Sequence, residues 1–123
     1  MGRRPPGSRT ARPLTPAMFH ILLVLAGGER HGYAIMREVE AFTGGARRLG
    51  PGSLYGSIKR MLSDGLIEEC DGPPHPVADD ERRRYYRLTD LGRRAAGAEA
   101  RRLEALVVAA RGRRLLGQPD SVA

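Results

Sequence analysis

Apolar side chains recur at helical spacing in four separate segments, and this pattern predicts four helices. The first helix has Thr15 as its N-cap and Pro16 at its first position, and Gly27-Gly28 ends it. Its apolar residues cover more than one side, so we expect several neighbours to bury it. The second helix runs from about Gly32 to Phe42, and the link at 46–50 could hold a very short strand.

The third predicted helix carries a one-sided polar face. It covers roughly residues 53–64, with Ser53 as its N-cap and Gly65 as its C-terminal stop. The face opposite its apolar stripe consists of Ser53, Gly56, Lys59, Arg60 and Ser63. An ordinary solvated face mixes both charge signs, whereas this one holds small residues, hydroxyls and two cations without a carboxylate. Such a face is suited to entering a nucleic-acid groove.

A β-hairpin is predicted between residues 66 and 89. Its first limb is Leu66–Cys70, and a long proline-containing connection leads to a second limb that alternates in polarity. Three cations begin the second limb: Arg82, Arg83 and Arg84. Three acids stand directly before them: Asp79, Asp80 and Glu81. The arginines could contact nucleic acid, or they could form a local salt-bridge cluster with these acids.

The last helix is predicted from Thr89, its N-cap, to about Gly112. Its apolar stripe has little left to pack against inside so small a domain, which is typical of a dimerisation helix. Residues of this stripe and of the first helix are candidates for a dimer interface or for a cleft that holds a small apolar effector. They are Met18, Leu22, Leu103, Leu106, Val107 and Ala110. The alternative is that such side chains are packed as core.

Charge narrows the class of partner. The chain has 123 residues, room for one small domain, with a net charge of +7 and a sequence pI of about 10.7. This balance favours an anionic partner such as nucleic acid, an acidic protein or a membrane surface. Lys59 is the single lysine, and arginine suits bidentate contacts with phosphate and guanine. The arginine bias could equally reflect a GC-rich genome.

Other classes of function find little support in the sequence. Cys70 is the single cysteine, so we expect a cytosolic location without a disulfide framework. No apolar run approaches membrane-spanning length, and no signal peptide is recognisable. The spacing of the histidines and Cys70 matches no zinc pattern, and no nucleophile stands beside a base. We therefore expect no metal, no cofactor, no membrane partner and no enzymatic activity.

The order helix–helix–helix–hairpin–helix is that of a winged helix-turn-helix domain, a mainly α (α+β) fold. Four motifs narrow the choice: His31-Gly32-Tyr33, Gly52-Ser53-Leu54-Tyr55, Leu62 through Gly65-Leu66-Ile67, and Arg83 through Thr89 followed by Gly92. In this order and spacing the chain resembles the PadR family of bacterial transcriptional regulators over about residues 14–112. The single C-terminal helix resembles the short-chain branch of that family.

The resemblance implies a homodimer that binds a palindromic operator in double-stranded DNA and represses transcription. It implies a winged helix-turn-helix domain at 14–88 and a dimerisation helix at 89–114. The residues rich in Arg, Pro and Gly at 1–13 predict a disordered basic arm, and we expect a flexible tail at 115–123. Gly56 replaces a proline that many members have, and the absence of tryptophan argues against a pocket in which tryptophans stack a drug.

The third helix would enter the major groove, and the wing would touch the flanking backbone or minor groove. The DNA-binding residues expected are Tyr33, Ser53, Tyr55, Gly56, Lys59, Arg60, Ser63, Arg82, Arg83 and Arg84. Tyr33 could instead be a core-edge residue and Tyr55 a structural one, while Lys59 and Arg60 could read guanine or phosphate. A winged-helix module that contacts protein or RNA without operator binding is the alternative function.

Overall fold

A computed structural model describes residues 13–46, 48–72 and 84–117. Its elements in chain order are α1 (Pro16–Leu25), β1 (Arg30–His31), α2 (Gly32–Phe42), α3 (Pro51–Ser63), β2 (Ile67–Cys70), β3 (Tyr85–Leu88) and α4 (Asp90–Gly112). This order confirms the predicted winged helix-turn-helix fold with a C-terminal helix. The predictions for the arm up to residue 12, for Arg82 and Arg83 and for the end of the tail lie outside the described residues.

Side-chain caps fix the start of three helices. The Thr15 Oγ1 accepts a hydrogen bond of 3.1 Å from the Met18 amide, and the Thr89 Oγ1 accepts one of 3.0 Å from the Gly92 amide. Both predicted caps are therefore confirmed. The third cap is His31, whose Nδ1 accepts from the Ala34 amide at 3.2 Å. The sequence analysis placed this histidine in a motif but did not identify it as a cap.

Helix α3 begins two residues before the predicted start. Its N-cap is Gly50, which makes no side-chain hydrogen bond, and Pro51 is at its first position. Proline suits that position because its φ angle is already helical and the missing N–H would have no partner there. The prediction that Ser53 caps the helix is wrong. Ser53 lies in the first turn instead and is exposed, so its hydroxyl is available to a ligand.

The three strands form one antiparallel sheet in the order β1-β3-β2. Glu68 on β2 lies opposite Arg87 on β3, while Arg30 on β1 lies opposite Tyr86. The sequence allowed a very short strand in the link at 46–50, but the described positions 48–50 form no strand. The strand that joins the two limbs of the hairpin to make a three-stranded sheet is β1 instead. A two-residue strand shows no alternation, so periodicity could not reveal it.

The core lies between the helices and one face of the sheet, and α1 is at its centre. This helix packs on α2, α3, α4 and β3, which explains why it is apolar on several sides. Met18 and Leu22 are 2% and 0% exposed within the single subunit. The prediction that these two residues line a dimer or effector cleft is therefore wrong, because the core already buries them.

Helix α4 is joined to the rest of the domain through a contact that leaves no room for a side chain. A Cβ on Gly92 would overlap the carbonyl oxygen of Leu66. Beside it, the Thr89 amide donates to that same carbonyl at 3.1 Å, and the Thr89 hydroxyl donates to the Gly65 carbonyl at 2.6 Å. Glycine at position 92 thus lets the first turn of α4 lie directly against the backbone that follows α3.

We predict that Gly92→Ala lowers the free energy of unfolding by about 3 kcal/mol, because the added methyl group forces two backbone segments apart. Gly97→Ala is the matched control in the same helix, where the nearest atom to the added Cβ is the Arg101 Nη1 at 3.5 Å. At position 97, alanine should raise the free energy of unfolding by about 0.5–1 kcal/mol because its helix propensity is higher than that of glycine. Urea unfolding at one fixed protein concentration measures both, and equal effects would contradict the packing argument.

Candidate nucleic-acid interface

The outward face of α3 is open to solvent, and most of its side chains are small or absent. Its apolar stripe is buried in the core through Leu54, Ile58 and Met61. On the opposite side the exposed residues are Gly52, Ser53, Gly56, Lys59 and Ser63. Apart from the adjacent residues and the backbone of α3 itself, no described atom lies within 4 Å of the position that a Cβ would take on Gly52 or Gly56. A ligand could therefore approach the backbone of this helix closely.

The two cations of α3 have different surroundings. Lys59 is exposed and makes no ion pair with any residue that the structure describes. Arg60 is partly buried, and its Nε lies 3.7 Å from the Asp64 Oδ2. The polar face is thus free of acids around Lys59, while a carboxylate borders it at its C-terminal end. An anionic ligand can therefore bind Lys59 without displacing a carboxylate, whereas it would have to displace Asp64 to bind Arg60.

Tyr33 lies in the first turn of α2 with 54% of its surface exposed, so much of its side chain is accessible to a ligand. The Arg37 Nη1 donates a hydrogen bond of 3.2 Å to the Tyr33 Oη, and its guanidinium carbon lies 5.7 Å from the ring centroid. This hydrogen bond raises the pKa of Arg37. The sequence did not single out Arg37; its i,i+4 spacing from Tyr33 was the available signal.

Tyr55 has both a structural and an exposed side. A Cβ on Gly32 would lie 2.5 Å from the Tyr55 Oη, so the phenol ring occupies the space above the start of α2. The remainder of the side chain leaves Tyr55 50% exposed. This packing holds the first turn of α3 beside the first turn of α2, which carries Tyr33. The two alternatives stated for Tyr55 are therefore compatible.

On the wing, Arg84 is the one predicted cation that lies within the described residues. Its side chain is 74% exposed, and its Nη1 lies 3.5 Å from the Glu69 Oε2. The Arg87 Nε lies 2.7 Å from the Glu68 Oε2, and this hydrogen bond raises the pKa of Arg87. The acids that pair with these arginines come from β2 across the sheet. As partners for the wing arginines the sequence indicated the acids at 79–81, which are outside the described residues.

Cys70 is part of the sheet rather than a reactive site. Its Sγ donates to the Glu29 Oε1 at 3.2 Å. Burial raises the pKa of the Cys70 thiol, and the bond to Glu29 raises it further. The thiolate that redox chemistry requires is therefore disfavoured at neutral pH. The described part of the chain contains no group of three or more potential metal ligands and no helix long and apolar enough to cross a membrane.

In the second half of α4, the described part of the chain leaves much of the apolar surface exposed. Leu103 and Ala110 are partly buried, whereas Leu106 and Val107 are 55% and 40% exposed. The next apolar residues toward the end of the described chain are exposed as well: Val108, Leu115 and Leu116. The candidates that the sequence grouped together thus divide into two core residues on α1 and a partly exposed set on α4. We call this set the α4 stripe; it consists of Leu103, Leu106, Val107 and Ala110.

Sequence comparisons identify relatives of the chain. A family model described as the transcriptional regulator PadR-like family matches residues 21–98. The transcriptional regulator Rv3488 of Mycobacterium tuberculosis is 36% identical over 87 residues, which are 71% of this chain and 75% of that protein. An uncharacterized 37.1 kDa protein in transposon TN4556 of Streptomyces fradiae is 38% identical over 84 residues. That match covers 68% of this chain, and the chain spans only 22% of the relative.

Solved structures share the fold. A PadR family transcription regulator from Clostridium difficile has a TM-score of 0.68 at 23% identity, over 84% of this chain and 100% of that one. Bacillus subtilis PadR in complex with operator DNA has a TM-score of 0.59 at 22% identity, over 72% of this chain and 48% of that one. The family model spans well over half of the chain and agrees with this fold. The chain therefore belongs to the PadR-like family of transcriptional regulators.

Proposed function

We propose that this regulator is a homodimer that binds a palindromic operator in double-stranded DNA and represses transcription in the cytoplasm. The observation that carries the proposal is the outward face of α3, which is open, small and rich in hydrogen-bond donors around the unpaired Lys59. The structure of Bacillus subtilis PadR with operator DNA supports it, because that protein shares the fold.

Helix α3 is the element that would read bases. A major groove about 12 Å wide admits a helix, and the absence of side chains at Gly52 and Gly56 allows α3 to lie deep in it. The hydroxyls of Ser53 and Ser63 can donate to or accept from base edges or phosphates. Lys59 can donate to the guanine acceptors or to a phosphate.

Phosphate contacts would come from both sides of α3. Tyr33 and Arg37 form a hydrogen-bonded pair at the start of α2, and both groups can donate to phosphate oxygens. On the wing, Arg84 is mostly exposed and could reach the flanking backbone. Arg82 and Arg83 belong to the same proposal. Such contacts set the register of the protein on the duplex but do not read its sequence.

The α4 stripe is the surface that we propose for the dimer. A two-fold axis through paired α4 helices would bury Leu106 and Val107 and would present two copies of α3 to one duplex. This arrangement matches the two-fold symmetry of a palindromic site, whose half-sites lie about 34 Å apart. A small apolar effector at the dimer centre would contact this stripe and not Met18 or Leu22, which are core residues.

DNA binding that discriminates sequence is the central test. A duplex from the promoter region of the protein's own gene should bind saturably and far more tightly than a scrambled duplex of equal length at physiological salt. Binding should weaken steeply as salt rises, because several phosphates are neutralised. Equal binding of both duplexes would reject a sequence-specific regulator. Binding to protein or structured RNA instead would favour the winged-helix interaction module.

We predict that Lys59→Ala weakens binding to promoter DNA by about tenfold or more, because it removes the one unpaired α3 cation and its base or phosphate contact. Arg101→Ala removes an equal charge from an exposed position on α4 and should change affinity by less than about threefold. Fluorescence anisotropy with labelled duplex measures both. If the two variants lose affinity equally, net charge and not α3 determines binding.

For the dimer, we predict that Leu106→Glu raises the dimer dissociation constant by about 100-fold or more, because a charge would be buried in an apolar interface. Ala105→Glu is the control, since the exposed Ala105 lies on the side of α4 away from the stripe. It should change the constant by less than about threefold. Sedimentation velocity over a concentration series measures the dimer dissociation constant of both variants. An unchanged constant for Leu106→Glu would mean that the dimer interface lies elsewhere.

A further inference from the structure

The two ion pairs of the wing lie on opposite faces of the sheet. On β2, Glu69 shares a face with Ile67, which is buried in the core, whereas Glu68 is on the other face. The pair Glu68–Arg87 is therefore on the outer face. The pair Glu69–Arg84 is on the face that turns toward the helices, at the end of the sheet next to the wing connection.

The strand that carries Glu69, β2, packs against α3. Tyr86 lies opposite Glu69 in the sheet and is 4% exposed. Burial raises the pKa of Tyr86, the Glu69 carboxylate raises it further, and Arg84 acts in the opposite direction. Tyr55 on α3 raises the pKa of Tyr86 as well. Glu69 thus lies on the face of β2 that turns toward the helices, and β2 itself packs against α3.

We propose that Glu69 competes with DNA phosphate for Arg84 and thereby limits the affinity of this protein for duplexes of any sequence. The inference rests on the proposed DNA-binding function and adds a restraint to it. In the free protein Arg84 is held 3.5 Å from a carboxylate, although its side chain is 74% exposed. A DNA phosphate that binds Arg84 must displace Glu69. The released carboxylate is then repelled by the negative charge of the DNA backbone.

The position of Glu69 distinguishes its proposed competition for Arg84 from a general effect of the net charge of the protein. At physiological salt the Debye length is about 8 Å, so a carboxylate acts mainly on the phosphates nearest to it. Glu68 carries the same charge on the same strand, its side chain is 48% exposed like that of Glu69, and it also pairs with an arginine. It differs in facing away from α3. Glu68→Gln is therefore a matched control for Glu69→Gln.

The experiment measures dissociation constants for a random-sequence duplex of about 25 base pairs, long enough for two half-sites one helical turn apart. The proteins are the full-length wild type, Glu69→Gln, Glu68→Gln, Arg84→Gln and the double variant Glu69→Gln/Arg84→Gln. Glu69→Gln should bind about threefold to tenfold more tightly than wild type, as expected for losing one exposed charge interaction in each of two subunits. Glu68→Gln should change the constant by less than about twofold.

The double variant tests whether Arg84 transmits the effect. If Glu69 acts mainly by holding Arg84, most of the Glu69→Gln gain should disappear when position 84 is already glutamine, because only direct repulsion between Glu69 and phosphate then remains. Equal gains for Glu69→Gln and Glu68→Gln, or a Glu69→Gln gain that is undiminished without Arg84, would overturn the proposal. Lys59→Ala distinguishes failure of the Glu69 proposal from failure of the proposed DNA-binding function. If Lys59→Ala weakens binding while Glu69→Gln has no effect, only the Glu69 proposal fails; if no protein of the series binds duplex DNA, both fail.

Discussion

The contact between the first turn of α4 and the backbone at Leu66 determines where the other parts of the interface lie. At this point the Leu66 amide donates to the Met61 carbonyl, the last turn of α3, while the Leu66 carbonyl accepts from the Thr89 amide at the end of β3. Gly92 lies against the same carbonyl without a side chain between them. The end of α3, the start of the wing and the start of α4 therefore meet within a few residues, and none of them can shift without disturbing the others.

The cations of this protein are less available than its net charge of +7 suggests. Four arginines of the link, α3 and the wing region each have a carboxylate within 4.0 Å: Arg48, Arg60, Arg84 and Arg87. In the same part of the described chain Lys59 has no such partner, and Arg37 is hydrogen-bonded to a phenol. Within these elements, local pairing thus leaves Lys59 as the cation of α3 without a carboxylate partner. The position of this cation on the open face of α3, more than the total charge, is what favours DNA as the partner.

Features set by neighbouring residues could be predicted from the sequence, and features set by distant ones could not. The Thr15 and Thr89 caps are local, and both are confirmed. The Ser53 cap failed because Gly50 and Pro51 begin the helix without a side-chain cap. Periodicity showed that Met18 and Leu22 face something apolar, but it could not say that the neighbours belong to the same subunit. The pairing of Glu69 with Arg84 depends on strand register, which a long connection between two short strands leaves open in the sequence.

The same junction gives the proposed dimer a mechanical property. Because α4 starts against the backbone that leaves α3, the two helices of one subunit should move together as a unit. If two subunits pair through the α4 stripe, the angle between their α4 helices sets the distance between the two α3 helices. That distance must match half-sites about 34 Å apart. A ligand that binds the stripe could then alter DNA affinity only through its preference for one angle over another, since a ligand with equal affinity for both shifts nothing.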